Sequence, residues 1–418
     1  MSPRLRSLLV LLVGGAALVF AADVVVRTPG FLVPRDFLEY WAAGRVNLRA
    51  GNPYHPAELL AEQKHADPAR EHAVMMWNPP PALALYMPLG ALPPRWATLL
   101  WVGAQLAAVF VACDLLWRTY HVRPPSEPAA HRWFAAVVAI SFVGTWWLVA
   151  YGQNTGFMLL GLAGFLHFTQ KEKPLAAGAC AALTALKPHL LAVFGVLLIA
   201  DVLTRRGQAA LASGVLFIVA ALGVAVFANP LVITQFIDAV RNPAEGATRL
   251  SDWALPVPAY WLRMKITPAQ FWVQFVPCAL ACAGFLAYRF WKGNDWSWPR
   301  MLPLVVAVSV LTTPYGGWIF DLPVLLVVVV WAAVQLVSAQ RWVFAVAFVV
   351  AQAAITAASF AWPGGLHDYW WVAPAALVPC LLGFGRTRSV SDGVRNNHPV
   401  AHAPGSPSIP VHTLPRHE

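Results

Sequence analysis

Long apolar stretches, separated by short polar junctions, follow one another from near the N-terminus to about residue 385. An α-helix needs roughly 20 apolar residues to cross a bilayer, and the stretches reach that length. They lack the alternating pattern of an outer-membrane β-barrel. The pattern therefore predicts an all-α polytopic membrane protein with about 12 transmembrane helices. This membrane domain occupies 1–385, and the polar residues at 386–418 are predicted to form a disordered cytoplasmic tail.

Basic residues indicate on which side of the membrane each junction lies. They recur after every second apolar stretch, whereas the connections at 151–154, 312–318 and 362–371 contain neither Lys nor Arg. The positive-inside rule places the basic junctions and both termini in the cytoplasm. Two long polar segments, 27–95 and 229–268, are then predicted to be extracytoplasmic loops.

Two apolar stretches allow alternative interpretations. The first, at 7–26, follows two arginines and is either an uncleaved span or a signal peptide; its length favours a span. The second, at 174–204, is either two short helices that meet at Lys187 or one kinked helix, because Pro188 interrupts the helical hydrogen bonds.

Composition agrees with a membrane protein and excludes other classes. The chain is 59% hydrophobic and only 11% charged, whereas soluble domains are about 25% charged. Its net charge of +10 reflects the positive-inside rule, and no basic cluster interleaved with aromatic residues indicates nucleic-acid binding. The 5 cysteines lie in apolar stretches, where they act as small hydrophobic residues, so neither a disulfide nor a metal site is predicted.

Unusual polar residues fall on the extracytoplasmic side of this topology. They lie at Asp36, 52–54, 77–81, 151–154, 187–189, 251–253, 313–318 and 367–371. Charges in the middle of apolar stretches are nearly absent, whereas an ion-coupled transporter needs charges near the bilayer midplane. The distribution favours an active site at the membrane surface.

Asp36 is the candidate general base. A partly desolvated carboxylate has a pKa near neutrality and can take a proton from an attacking hydroxyl. The alternative is N-terminal capping of the helix that begins near Phe37, which aspartate does well. Glu39 stands where the acid of a capping box is found, so we interpret it as structural.

Several cations are candidates for binding a phosphate. Arg35, Arg45 and Arg49 can hold a lipid-linked phosphate or interact with headgroups. A lone lysine at membrane depth, such as Lys187, costs about 2.5–3.5 kcal/mol and so predicts a partner, for which a phosphate at a broken helix is reasonable. The alternative is snorkelling to the interface. His189 can donate to the same phosphate.

Aromatic and amide side chains on the same side suit a sugar, because its ring faces stack while its hydroxyls need donors and acceptors. The membrane-interface belt is an alternative explanation for most of the 20 tryptophans. The predicted sugar- or acceptor-binding residues are Tyr40, Arg45, Asn52, Tyr54, Trp77, Asn78, Gln153, Asn154 and Tyr315.

Many of these residues belong to short motifs that follow one another in a fixed order along the chain. They read Asp36-Phe37-Leu38-Glu39-Tyr40-Trp41-Ala42-Ala43-Gly44-Arg45, Gly51-Asn52-Pro53-Tyr54, Trp77-Asn78-Pro79-Pro80, Gly152-Gln153-Asn154, Lys187-Pro188 and Thr313-Pro314-Tyr315-Gly316-Gly317-Trp318. In this order the motifs resemble glycosyltransferase family 87, the polyprenol-phosphate-mannose-dependent mannosyltransferases of the GT-C superfamily. Asn78, where tyrosine is common, and His189, after Lys-Pro, depart from the family pattern.

The resemblance implies a GT-C-type bundle in the cytoplasmic membrane, with a large first extracytoplasmic loop and an extracytoplasmic active site. It also implies an inverting transferase that moves a sugar from a polyprenyl phosphate to a lipid, glycan or protein acceptor, with mannose as the first candidate for the sugar. Asp36 would be the general base, and Lys187, with His189 or Arg35, would bind the donor phosphate. No cofactor is expected, although a divalent metal held by Asp36 with Asp252 or Asp368 stays open.

Two other classes remain as alternatives. One is a transporter of lipid-linked sugars, and the other is a non-catalytic membrane protein of envelope assembly. Transport of a lipid-linked sugar without formation of a glycosidic bond would distinguish the first from a transferase.

Overall fold

The computed structural model describes residues 34–121, 132–242 and 253–381. This part is 80% helical and contains no β-strand, which confirms the predicted all-α class. The predicted first span at 7–26 and the predicted tail at 386–418 lie outside the described residues.

The α-helices are named in chain order. They are α1 Phe37–Leu48, α2 Pro56–Gln63, α3 Leu83–Gly90, α4 Pro94–Tyr120, α5 Arg132–Ser141, α6 Val143–Tyr151, α7 Thr155–Gln170, α8 Pro174–Ala181, α9 Ala192–Ala200, α10 Arg205–Ala228, α11 Val232–Arg241, α12 Pro258–Ile266, α13 Val276–Lys292, α14 Trp298–Thr312, α15 Leu326–Ser338, α16 Trp342–Ala361 and α17 Val372–Leu377. Short 3₁₀ segments join or extend them at Pro80–Ala82, Ala182–Leu186, Pro188–Leu191, Asp201–Leu203, Phe271–Phe275, Gly293–Asp295, Ile319–Leu325, Leu366–Trp371 and Val378–Cys380.

Several helices are long and apolar enough to cross a membrane. In the described part there are 5, or up to 6 if the bent pair α5–α6 forms one span. The 5 are Pro94–Tyr120, Arg205–Ala228, Phe271–Asp295, Ile319–Ser338 and Trp342–Ala361. Shorter apolar helices cover Pro174–Leu186, Pro188–Leu203 and Trp298–Thr312. A polytopic membrane protein is therefore supported, whereas the expected number of about 12 spans is not confirmed.

The ambiguous stretch at 174–204 is divided into two helical pieces. The residue between them is Lys187, whose φ of −140° and ψ of 76° are not helical. Pro188 starts the second piece, and the residue before a proline is disfavoured in helical conformation. This break places a charged side chain at the junction of two apolar helices.

Helix α1 is buried on nearly all sides, so part of the predicted first loop packs into the body of the protein. Its aromatic residue Tyr40 stacks on Tyr86 of α3 with ring centroids 4.5 Å apart, and both rings contact Trp101 of α4. The backbones of α1 and α3 also come very close at Gly44. This packing fixes the position of the chain just before α1.

Replacing Gly44 by alanine is expected to destabilise the protein. A Cβ atom at this position would lie 2.3 Å from the carbonyl oxygen of Tyr86, and such overpacking costs about 1–3 kcal/mol. Thermal unfolding of detergent-purified protein would measure the effect. The control is Gly103→Ala in α4, where a Cβ meets nothing within 4 Å and no loss of stability is expected. Equal unfolding temperatures for the two variants would contradict the close approach of α1 and α3.

Candidate functional site

A cavity of about 630 Å³ opens beside the N-terminal end of α1. This volume lies within the roughly 300–1,000 Å³ of typical small-molecule sites. Its walls come from the loop before α3, the turn between α6 and α7, the break at Lys187, helix α11 and the segment around 315–321. Widely separated parts of the sequence therefore meet at one cavity.

Asp36 lines this cavity and does not cap α1. Its backbone is already helical, with φ −81° and ψ −21°, and its side chain makes no capping hydrogen bond. The Asp36 N–H donates to the carbonyl of Tyr151, at 3.1 Å, so Glu39 does not complete a capping box. The capping alternative for Asp36 and the capping-box interpretation of Glu39 are therefore wrong.

Gln153 connects Asp36 to a cation. Its Oε1 accepts from the Tyr40 hydroxyl and from Lys187 Nζ, both at 2.7 Å. Because an ammonium group only donates, Oε1 must face Lys187. The Gln153 Nε2 therefore faces Asp36 and donates to its Oδ2 at 2.5 Å. Among the described residues, no hydrogen bond reaches the other oxygen of Asp36, Oδ1, which stays available to a ligand.

Lys187 has a protein partner that the sequence did not reveal. Its Nζ lies 2.6 Å from Asp321 Oδ1, and the two side chains are 12% and 1% exposed. The second carboxylate oxygen of Asp321 accepts from the Trp318 N–H at 3.2 Å. An ammonium group has three donors, and the described residues use two of them. One N–H of Lys187 therefore remains for an anionic ligand.

Burial affects the pKa values of two neighbouring carboxyl groups, Asp36 and Glu39. Burial raises the pKa of Asp36 from 3.8 to about 6, although the Gln153 hydrogen bond and the Lys187 charge oppose the rise. Burial raises the pKa of Glu39 well above its ordinary range, and the nearby Asp36 charge adds to this effect. With a pKa of about 6, Asp36 is mostly ionised at neutral pH and able to accept a proton.

A glycine turn brings a histidine into the cavity wall. Thr313 Oγ1 lies 3.1 Å from the carbonyl oxygen of His189 and 2.6 Å from that of Tyr315, and its single proton is shared between them. The His189 and Tyr315 rings meet edge to face with centroids 5.1 Å apart. Gly316 has a φ of +73°, and a Cβ there would lie 3.0 Å from His189 Nε2. Only glycine combines this backbone conformation with this close approach.

Aromatic side chains form another part of the cavity wall. Trp253 lies 6.2 Å from Trp77, 5.6 Å from Tyr315 and 6.1 Å from Trp318, measured between ring centroids. All four residues line the cavity. Of these, Trp253 and Trp318 are not among the predicted site residues, because a tryptophan in such a segment is equally typical of the membrane-interface belt. The wall offers apolar ring faces on which a sugar can stack.

The predicted site residues divide into two groups. Those that line the cavity are Arg35, Asp36, Trp77, Asn78, Gln153, Lys187, His189 and Tyr315. The others, Tyr40, Arg45, Asn52, Tyr54 and Asn154, are not among the cavity-lining residues.

The second group has structural partners. Arg45 pairs with Glu62 at 2.9 Å, and Asn154 donates to the Tyr86 hydroxyl at 2.7 Å. Asn52 Oδ1 accepts from the Tyr54 N–H at 3.0 Å.

Tyr54 and Tyr40 reach the site indirectly. The Tyr54 hydroxyl donates to the carbonyl of Asn78 at 3.2 Å, and Asn78 Nδ2 donates to the carbonyl of Leu186 at 2.8 Å. Tyr40 contacts Gln153. Both tyrosines therefore support cavity-lining residues rather than forming its wall.

The described residues contain no group of three or more His, Cys, Asp or Glu side chains that could hold a metal ion. Asp368 pairs with His367 at 3.3 Å and accepts from the Gly365 N–H at 2.8 Å. It does not line the cavity, and Asp252 lies outside the described residues.

Comparison with known proteins identifies the family. The model of glycosyltransferase family 87 matches residues 77–314. Asp36 and Asp321 lie outside this match. No curated protein and no solved structure matches the chain at a significant level. Because the family match covers more than half of the chain, the protein belongs to glycosyltransferase family 87 and is a membrane glycosyltransferase.

Proposed function

We propose that the protein transfers a sugar, with mannose as the first candidate, from a polyprenyl phosphate to an acceptor hydroxyl with inversion at the anomeric carbon. The acceptor is an envelope lipid, glycan or protein. The observation that carries this proposal is the hydrogen-bonded chain from Asp36 through Gln153 to Lys187. It joins an ionised acid to a cation at one cavity, as attack by a hydroxyl and departure of a phosphate require.

Asp36 Oδ1 takes the proton of the acceptor hydroxyl. The acceptor oxygen forms a bond to the anomeric carbon from the side opposite the phosphate, and the bond from this carbon to the phosphate oxygen breaks. A phosphodiester with one negative charge thereby becomes a phosphate monoester that gains a second. Lys187 stabilises this developing charge with its remaining N–H, and Arg35 and His189 lie on the same cavity to assist it.

The membrane arrangement belongs to the same proposal. The cavity faces the extracytoplasmic side of the cytoplasmic membrane, so that the donor enters from the outer leaflet. A GT-C-type bundle of about 12 spans occupies 1–385, with extracytoplasmic loops at 27–95 and 229–268 and a cytoplasmic tail at 386–418. Cysteine labelling from either side of sealed vesicles would test this sidedness.

The transfer reaction is tested directly with labelled donors. Membranes that contain the full chain are supplied with polyprenyl-phosphate mannose, arabinose or glucose together with total lipid and glycan extracts. We expect label in a glycosylated product for one donor. Movement of lipid-linked sugar across purified proteoliposomes, with no glycosidic bond formed, would instead establish the transporter alternative. Absence of transfer from every donor would overturn the proposed reaction.

Ionisation of Asp36 is expected to set the acid side of the pH profile. Because burial raises its pKa to about 6 and a base acts only when ionised, kcat/KM should fall about tenfold per pH unit below about pH 6. It should level off above this value. Initial rates at saturating acceptor and low donor concentration, from about pH 4.5 to about pH 8, would measure the profile. A rate that stays constant down to about pH 4.5 would contradict the role of Asp36.

A further inference from the structure

Asp321 occupies the end of a hydrogen-bonded chain that crosses one side of the cavity. The chain runs from Asp321 to Lys187 at 2.6 Å, from Lys187 to Gln153 at 2.7 Å and from Gln153 to Asp36 at 2.5 Å. Its four members come from the residue before α1, the turn before α7, the break between α8 and α9 and the 3₁₀ segment before α15. The hydrogen-bonded chain therefore connects three other elements to the proposed base.

The position of Asp321 is tightly determined. Its side chain is 1% exposed, and its Oδ2 accepts from the Trp318 N–H at 3.2 Å. Its Oδ1 accepts from the Lys187 ammonium, at the break between the two helical pieces of the stretch 174–204. Asp321 fixes the position of the Lys187 ammonium, because Lys187 has no other carboxylate partner among the described residues.

We propose that Asp321 is a positioning residue of the transfer reaction: through Lys187 and Gln153 it orients Asp36 so that Oδ1 is the oxygen offered to the acceptor hydroxyl. This inference rests on the proposed function. Lys187 fixes the amide of Gln153, because only the amide oxygen can accept from it. The amide nitrogen then occupies Oδ2 of Asp36, and the proton of the acceptor passes to Oδ1.

Charge near Asp36 gives the proposal a measurable consequence. The charged groups around Asp36 are Arg35 and Lys187, which lower its pKa, and Asp321, which raises it. The neighbouring Glu39 has a pKa well above its ordinary value, because of burial and the nearby Asp36 charge. Replacing Asp321 by asparagine removes a negative charge and leaves the Lys187 charge without compensation. Loss of the Asp321 charge by itself lowers the pKa of Asp36, whereas loss of the Gln153 hydrogen bond has the opposite and larger effect. If Asp321 positions Gln153, the acid limb of the pH profile should therefore move to higher pH.

The test compares Asp321→Asn with a matched variant, Asp201→Asn. Asp201 is also a buried carboxylate in an ion pair, with Arg289 at 2.9 Å, but it does not line the cavity. We expect both variants to unfold at lower temperature. Only Asp321→Asn should lower kcat, by about 10²-fold as for other misplaced catalytic groups, and move the acid limb to higher pH.

A double variant separates positioning from general destabilisation. If Asp321 acts through Gln153, then Asp321→Asn combined with Gln153→Ala should lose no more activity than the more damaged single variant. Two outcomes would overturn the positioning role. One is a loss of activity in the double variant equal to the product of the two single losses, and the other is an acid limb in Asp321→Asn that does not move to higher pH. The proposed function would then still stand, provided that the wild type transfers sugar and Asp36→Asn does not. Absence of transfer by the wild type would remove both proposals.

Discussion

Replacing Asp36 by asparagine should reduce sugar transfer by about 10²–10⁴-fold, the usual contribution of a general base. Asparagine has nearly the same shape as aspartate, and its amide oxygen can still accept from Gln153 Nε2, so the hydrogen bond and the cavity are kept. What is lost is the group that takes the proton from the acceptor. The measurement is transfer from labelled polyprenyl-phosphate sugar in membranes with equal amounts of each protein.

The control for this variant is Asp295→Asn, which changes an exposed aspartate outside the cavity. It should transfer sugar at the wild-type rate. If Asp36→Asn were as active as this control, Asp36 would have no role as a base. A second check is the unfolding temperature of Asp36→Asn, which should stay close to that of the wild type because no buried ion pair is broken.

Replacing Lys187 by methionine should impair both catalysis and stability. The phosphate leaving group loses a cation whose contribution resembles that of an oxyanion-hole donor, about 10²–10³-fold in kcat. Asp321 is left as a buried carboxylate without its partner, and breaking such a pair costs roughly 3–5 kcal/mol. Transfer rates and thermal unfolding of the same preparation would measure the two effects together.

The two effects of Lys187→Met can be separated. In the double variant Lys187→Met/Asp321→Asn no unpaired charge remains, so stability should recover in part while activity stays low. Lys173→Met, which removes an exposed lysine, should change neither property. Recovery of activity in the double variant would show that Lys187 serves the fold and not the phosphate.

The helical membrane fold could be predicted because apolar stretches of sufficient length are visible in the sequence. The number of spans could not, because some stretches are broken inside the structure. Helices α5 and α6 are long and apolar enough to cross a membrane only when taken together, and they are bent by 61° relative to each other. The stretch at 174–204 divides at Lys187 into two pieces, each shorter than a full span. Hydrophobicity alone does not distinguish a continuous helix from a broken one of the same composition.

Part of the candidate site could be predicted from charge in an apolar context. This context indicates both Asp36 and Lys187, and the structure places the two residues at one cavity. The partner of Lys187 could not be predicted, because Asp321 stands 134 residues farther along the sequence. A lone lysine predicts a partner without indicating where in the sequence it lies.

The sequence also could not show which of two adjacent residues in a motif reaches the cavity. Gln153 and Asn154 are adjacent, yet Gln153 contacts Asp36 and Asn154 contacts Tyr86. The left-handed conformation of Gly152, with a φ of +68°, ends α6 just before them. The direction of each side chain after such a turn depends on the helices packed around it, and this packing is not visible in a single sequence.

The long separation of Lys187 and Asp321 also concerns the synthesis of the protein. At about 5–20 residues per second, the 134 residues between them take roughly 7–27 s to translate. During this interval the nascent chain carries a lysine in an apolar stretch before its carboxylate exists. The ion pair can therefore form only after Asp321 has been synthesised, and a chain that stops before residue 321 keeps an uncompensated cation. The later part of the polypeptide thus completes the charge balance of the earlier part.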